Sequence, residues 1–454
     1  MVPRPRRLVL ASLWLAAAQV FGFVPRLLAQ VSPNGSELQF NSYTTGAQHQ
    51  PALALGAQGT FVVAWNSFGS GGTDTSSYSV QVRRFDAVGV PLGVETQVNT
   101  FTTDDQGLPA VASDGLGRFV VVWQSLGSAG NDGSQTSIQG QRFEADGTPL
   151  GPEFQVNTYT TSYQESPAVA ADAAGGFVVV WESLGSPDSD VSEWSIQGQR
   201  FGDNGAPIGA QFQVNTYTTD RQIHPAIAMD PVGNFVVAWS SFGSTGNDNS
   251  ANSIQAQRFE AAGAPTGAEF QVNTYTTDYQ FNPAIAMDDL GNFLVVWGSV
   301  GSFGTDTASS SIQGQRFAFT GAPLGVQFQV NTYTSFNQHQ PTVAIDGRGD
   351  FVVAWQSEGS DGGDTSDYSI HVQRFRAGGS ALDAEVQVNT YTTGHQGQPA
   401  ALADGLGNFV VSWGSDGSFA TDTDQASVLA QLFDGLFRDG FETGGTSRWS
   451  AAVP

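Results

Sequence analysis

Apolar residues fall in short, regularly spaced runs along this chain. In "NFVVAW" (Asn234 to Trp239), Phe235, Val237 and Trp239 share one face of an extended strand, and Val236 and Ala238 share the other. Both faces are apolar, which predicts a strand covered on both sides. Three further runs accompany it: "PAIAMD" before, "SIQAQRFE" after, and "EFQVN" beyond that. All are short, rich in Val, Ile and Phe, and bounded by Gly, Pro, Asp or Asn, so each predicts a strand. "DPVG" joins the first two as a tight hairpin in which Gly233 can take positive φ, and "AAGAPTGA" joins the last two.

The four-strand pattern recurs at a fixed period. Trp65, Trp123, Trp181, Trp239, Trp297, Trp355 and Trp413 are each 58 residues apart. Around each tryptophan stand Gln at −17, Pro at −14, Gly at −6, Phe at −4, Ser at +2 and Asp at +9. Such a period signals a solenoid, a propeller or an array. Seven four-stranded units match the blade count of a β-propeller. An open array is disfavoured, because an open stack needs polar capping repeats and the ends of this chain complement each other instead. "ELQFNSYTT" near the start is a fourth-strand sequence with no strands before it, and the last repeat stops after its third strand, "SVLAQLF". The expected fold is all-β: a seven-bladed propeller over residues 37–434, closed by an N-terminal strand that hides an open edge.

The repeat resembles the uncharacterised "EFQVNTYT…PAVA…GFVVVW…QRF" repeats of large secreted bacterial proteins, over about residues 37–434. Those repeats often lie near haemolysin-type calcium-binding sequence, and the family has no agreed activity. The hairpin "AMDPVGNFVVAW" is also similar to strand pairs of NHL-type propellers. The tail "FRDGFETGGTSRWS", within residues 435–454, resembles a "DGFESGDTSxWS" motif at the C-termini of exported bacterial proteins. That resemblance implies a sorting or surface-retention role.

Composition narrows the partners. The 454 residues carry a formal net charge of −25, with no lysine and no cysteine. Nucleic acid and anionic membrane are therefore excluded as expected partners, and neither disulfides nor thiolate metal sites can form. Residues 1–29 read as a signal peptide: Arg4, Arg6 and Arg7 precede the apolar run Leu8 to Val24, with small residues near Ala29. No other run is long enough to span a membrane. The expected location is outside a bacterial cell or on its surface.

Candidate chemistry lies in two loop families. In a propeller, the loops joining strand four to strand one, and strand two to strand three, emerge on one face. Here they carry a recurring Gln (Gln48 in the first copy) and a recurring Asp: Asp74, Asp132, Asp190, Asp248, Asp306, Asp364 and Asp422. Residues present in every copy are first explained as loop ties. The competing reading is calcium, because "GSAGND" and "GSFGTD" are similar to half of a calcium nonapeptide and glycine-hinged oxygen-rich loops suit that ion. Asp190 and Asp364 have acidic neighbours (Asp188; Asp361 and Asp367), which makes their blades the best calcium candidates. A third reading is glycan binding, with Trp194, alone in a loop, as the sugar platform. His49, His224, His339 and His395 also fall in these loops, and His49, His339 and His395 belong to neighbouring blades of a closed ring. Arg142 and its equivalents in "QRF" are expected to pair with acids between blades. No serine elbow, phosphate loop or HExxH motif occurs. The expectation is a binding or structural module for a protein or glycan, with calcium as the leading ligand. The alternative is an enzyme or glycan binder using the loop face at the channel mouth.

Overall fold

In the computed structural model, residues 33–434 are described, apart from 129, 188–189, 191–192, 249, 308, 361–362, 365–366, 419–421 and 423–424. The expected signal peptide and C-terminal tail lie outside the described residues, as do Asp188 and Asp361.

Seven four-stranded antiparallel sheets form a β-propeller. Blade four shows the plan: Gln222–Met229, Phe235–Phe242, Asn252–Phe259 and Phe270–Gln271, in that spatial order. The first strand of each blade adjoins the first strands of both neighbours in a closed cycle, blade seven meeting blade one. These innermost strands border the central channel. The sole helical turn among the described residues is a 3-10 turn at Ala57–Gly59, and no helix there is long and apolar enough to cross a membrane.

The apolar pattern explains the stacking. All seven repeat tryptophans are fully buried. Trp239, with Phe235 and Val237, packs on Val178, Val180 and Ile196 of blade three. Val236 and Ala238, on the other face, pack on Phe293 and Trp297 of blade five. Each second strand therefore feeds two cores. Compensating exchanges preserve the volume. Gly198 leaves room for Phe212, whose ring lies 2.7 Å from where a Cβ would stand. The same cross-strand pair is Val82 with Thr96 in blade one and Val372 with Val386 in blade six.

The ring closes as the ends of the sequence imply. Leu38–Gln39 pairs with the third strand of blade seven, in register with Ala430 and Leu429. Phe40 is fully buried against Phe61 and Phe85 of blade one.

Polar ties join successive blades. Glu269 Oε2 accepts hydrogen bonds from the Thr216 N–H (2.6 Å), the Thr216 hydroxyl (2.8 Å) and the Tyr217 N–H (3.2 Å) of the preceding blade. Glu37 takes the same role across the closure, on Thr390 and Tyr391. The "QRF" arginines differ from expectation. Arg200 donates to the carbonyls of Ala262 (2.6 Å) and Ala261 (2.7 Å) in the next blade, and Arg142 donates to those of Asn204 and Asp203. The guanidinium fork meets a turn whose carbonyls converge on it, so no acid is needed. Arg374 is different again, binding the Asp383 carboxylate within its own blade.

Candidate functional site

The recurring aspartates and glutamines lie inside the loop face. Asp248 is fully buried. Its Oδ2 accepts the Asn273 amide (2.7 Å), and its Oδ1 accepts the Ser250 hydroxyl (3.0 Å) and N–H (3.3 Å). Asn273 Oδ1 in turn accepts the Ile254 N–H (2.8 Å). The same asparagine–aspartate bond recurs at Asp74, Asp132, Asp190, Asp306, Asp364 and Asp422. At Asp422 the partner is Asn41, from the closing strand. Each carboxylate thus ties a loop to the asparagine after the fourth strand, and at Asp74, Asp132 and Asp248 the N–H two residues on also donates to Oδ1. Among the described residues no three His, Asp or Glu side chains gather as a metal-sized group. Gln106 shows the glutamine role: its amide donates to the carbonyls of Thr103 (2.8 Å) and Asp104 (3.0 Å), and its Oε1 accepts the Ser125 hydroxyl (2.8 Å). Gln48 is buried in the equivalent place and donates to Gly46 O (2.9 Å).

A feature absent from the sequence reading shapes the channel mouth. The third residue of every innermost strand is a non-glycine residue with φ between 50° and 56°: Gln50, Leu108, Ser166, His224, Asn282, Gln340 and Gln398. The pairing with the second strand shifts register there, as at Ile223/Ala226. Such bulges bend a strand and re-aim its side chains, and a left-handed non-glycine residue stores strain that the surroundings must hold. Here the mouth acquires residues that differ from blade to blade.

The predicted binding residues spread around that mouth, but Gln48, His49, His224 and His339 lie in the first residues of innermost strands rather than in loops, and His395 stands just before one. Trp194 is not in a loop; it opens the third strand of blade three, half-buried beside Tyr163 with ring centroids 6.4 Å apart. His224 is exposed on blade four, yet the crowding of protein at the mouth lowers its pKa by loss of solvation. His49 meets the edge of Tyr78 (5.2 Å), and burial lowers its pKa against the pull of Asp416. His339 and His395 come together through Tyr368, with ring centroids at 5.0 Å and 5.1 Å and steep angles of 85° and 72°.

Around Tyr368 the groups are dense. His395 Nδ1 lies 3.7 Å from Asp367 Oδ2, and its Nε2 lies 3.4 Å from the Gln356 amide. Glu358 accepts the Asn337 amide at 2.6 Å. Burial lowers the His339 pKa, with Glu358 opposing and His395 adding to the shift. Burial raises that of Tyr368, and Glu358 and Asp367 raise it further. The cluster thus offers a neutral imidazole, a protonated phenol and two carboxylates on one wall of the mouth. Tyr368, Glu358 and Asp367 occupy columns of the repeat that vary, so repeat conservation within the chain gave no signal for them.

No family model matches the chain, and no curated protein matches it in sequence. Solved structures match its fold. A protein of unknown function from Dyadobacter fermentans DSM 18053 is similar at 8% identity and TM-score 0.50, covering 89% of this chain and 98% of that one. A polysaccharide lyase of the PL25 ulvan lyase family is similar at 10% identity and TM-score 0.50, covering 87% and 95%. An α-L-arabinanase from Penicillium chrysogenum is similar at 14% identity and TM-score 0.47, covering 88% and 99%. At these identities the likeness concerns architecture.

Proposed function

We propose that this protein binds a neutral glycan at the loop-face mouth of its channel, with Tyr368, His339 and His395 on one wall. The observation that carries the proposal is the break in repetition. Buried ties recur from blade to blade, whereas the mouth varies: a His–Tyr edge contact occurs in blades one and six, at His49–Tyr78 and His339–Tyr368, and only the second is joined by a further imidazole, His395. A scaffold needs no such asymmetry. Tyrosine presents an apolar face and a polar tip, which suits a sugar ring with its hydroxyls. The fold likeness to an ulvan lyase supports polysaccharide recognition as a task this architecture can host.

Charge selects the class of glycan. The chain has no lysine. Among the described arginines only Arg221 lies on the loop face, and it pairs with Glu193 at 3.5 Å. Among the described residues, a polyuronate or sulfated chain would meet carboxylates at the mouth and no arginine there outside the Arg221–Glu193 pair. The pattern of residues 1–29 supports export, so the glycan would be met outside the cell.

Calorimetric titration with arabinan, xylan and mixed-linkage glucan oligosaccharides, and with polygalacturonate, tests this. A neutral oligosaccharide should bind, and Tyr368→Ala should weaken it at least about tenfold, equal to about 1.4 kcal/mol, with an unchanged melting curve. Binding of polygalacturonate alone, or indifference to Tyr368→Ala, would overturn the proposal.

A further inference from the structure

Blade three carries two glutamates in register where the other blades have no acid pair. Glu165, second in the innermost strand, faces Glu182 across the sheet. The same pair is Gly107 with Gln124 in blade two and His339 with Gln356 in blade six. Like charges directly opposite destabilise a sheet, so the pair needs a reason.

The framework does not supply one. Glu182 Oε1 accepts the backbone N–H of His224 in the next blade, at 2.6 Å. Gln124 makes the same bond to the Ser166 N–H (3.3 Å), and Gln356 to the Gln398 N–H (3.4 Å). An amide oxygen is sufficient to hold the strained residue of the next blade. Glu182 performs a glutamine's structural task with a group that can also carry a proton, although it is only 6% exposed.

In a ring of seven, blade three stands across the channel from the joint of blades six and seven, where Tyr368 lies. A glycan spanning the mouth from Tyr368 would run toward blade three, where the His224 ring is exposed and Glu182, which holds the His224 N–H, stands in register with Glu165. We infer that Glu182 is the proton donor, and Glu165 the base, of a hydrolytic step on the glycan held at the mouth. This rests on the glycan reading above.

In that step Glu182 gives its proton to the glycosidic oxygen as the bond from that oxygen to the anomeric carbon breaks. The oxygen of a water molecule bonds to the anomeric carbon, and the proton that water loses passes to the Glu165 carboxylate. Glu165 returns a proton to Glu182 through solvent, and one water is consumed. Burial, with the Glu165 charge adding, pushes the Glu182 carboxyl up to about 7. It is therefore about half protonated at pH 7 and more fully so below it. Burial raises Glu165 too, and the Thr136 hydroxyl opposes that rise. Both carboxyl groups are thus raised, and the more deeply buried Glu182 takes the acid's part.

The experiment combines binding and turnover on the full-length protein, with arabinan, xylan and mixed-linkage glucan as probes. Reducing ends are measured alongside calorimetric affinity, for wild type and Glu182→Gln. The variant keeps the acceptor for the His224 N–H, as Gln124 and Gln356 show, so the fold is retained. Wild type should release reducing ends, with activity falling as pH rises through about 7. Glu182→Gln should bind as wild type does and turn over about 10²–10⁴-fold more slowly, the usual worth of general acid–base catalysis. Binding without turnover by wild type, or equal turnover by Glu182→Gln, would overturn the assignment of Glu182 and leave glycan binding standing. No binding of any probe would remove both.

Discussion

Replacing Phe40 by alanine tests ring closure at one side chain. Phe40 lies outside the other repeats in sequence, before the first innermost strand begins at Gln48. In the closed ring its side chain is fully buried, with centroids 4.4 Å from Phe85 and 5.7 Å from Phe61. It shares that core with Trp65 of blade one and Val428 of blade seven. Removing a buried phenylalanine ring costs about 3–5 kcal/mol, through lost burial and the cavity left behind. Its backbone N–H bond to Val428 O (2.9 Å) survives the substitution, so the loss reports side-chain packing between the two ends of the chain. Guanidinium unfolding followed by tryptophan fluorescence is suited to the measurement, because the seven repeat tryptophans are all buried. The midpoint should fall with an unchanged slope, the mark of altered stability alone. Deletion of residues 33–43 should do more, removing the pairing of Leu38 and Gln39, the Asn41 bond to Asp422 and the Glu37 tie together. In an open array Phe40 would be exposed and dispensable. A Phe40→Ala curve superimposed on wild type would refute closure by this strand.

Two further outcomes follow from the buried network and the titrating groups. Asp248→Asn should cost about 1–3 kcal/mol by setting an amide donor among the donors of Asn273 and Ser250, and millimolar Ca²⁺ should leave the melting temperature of wild type unchanged; a calcium-dependent rise that Asp248→Asn or Asp364→Asn weakens would instead make these loops metal sites. The Glu182 carboxyl holds its proton in the folded chain up to about pH 7, whereas the unfolded chain releases it near 4.5. Its contribution is therefore present below pH 4.5 and lost as pH rises to 7, by up to about 3 kcal/mol. The lowered histidines act in the opposite direction, so the measurement is the difference between wild type and Glu182→Gln. That difference should shift in favour of Glu182→Gln across the window, and a constant difference would contradict the raised Glu182 value.

The architecture was legible because every blade needs the same things. Tryptophan at a period of 58, apolar residues on both faces of "NFVVAW", and complementary ends suffice for a closed ring. The loop-tie role of the aspartates was legible too, but their partner was not. The asparagine of "QVN" comes 25 residues later, and nothing local links the two. The arginines misled for a related reason: their acceptors are backbone carbonyls, which leave no trace in residue type. Trp194 read as a loop residue because the column that opens the third strand holds Tyr, Thr, Asn, Ser and Ala in other blades, so no strand signal accumulates there. The mouth was least legible. Its left-handed position holds five different residue types, and its cluster joins His339, Tyr368 and His395 from columns that a repeat comparison averages away. Glu182 hides where glutamine would serve.

The most direct test of the whole account is the position of a neutral oligosaccharide in a crystal of the Glu182→Gln protein, where turnover is suppressed. One chain should lie across the channel mouth, a sugar ring against Tyr368. A glycosidic oxygen should stand about 2.6–3.2 Å from the side chain of residue 182, the reach of a proton donor. Sugars seated at repeated positions between blades, or on the opposite face of the ring with the mouth empty, would contradict it.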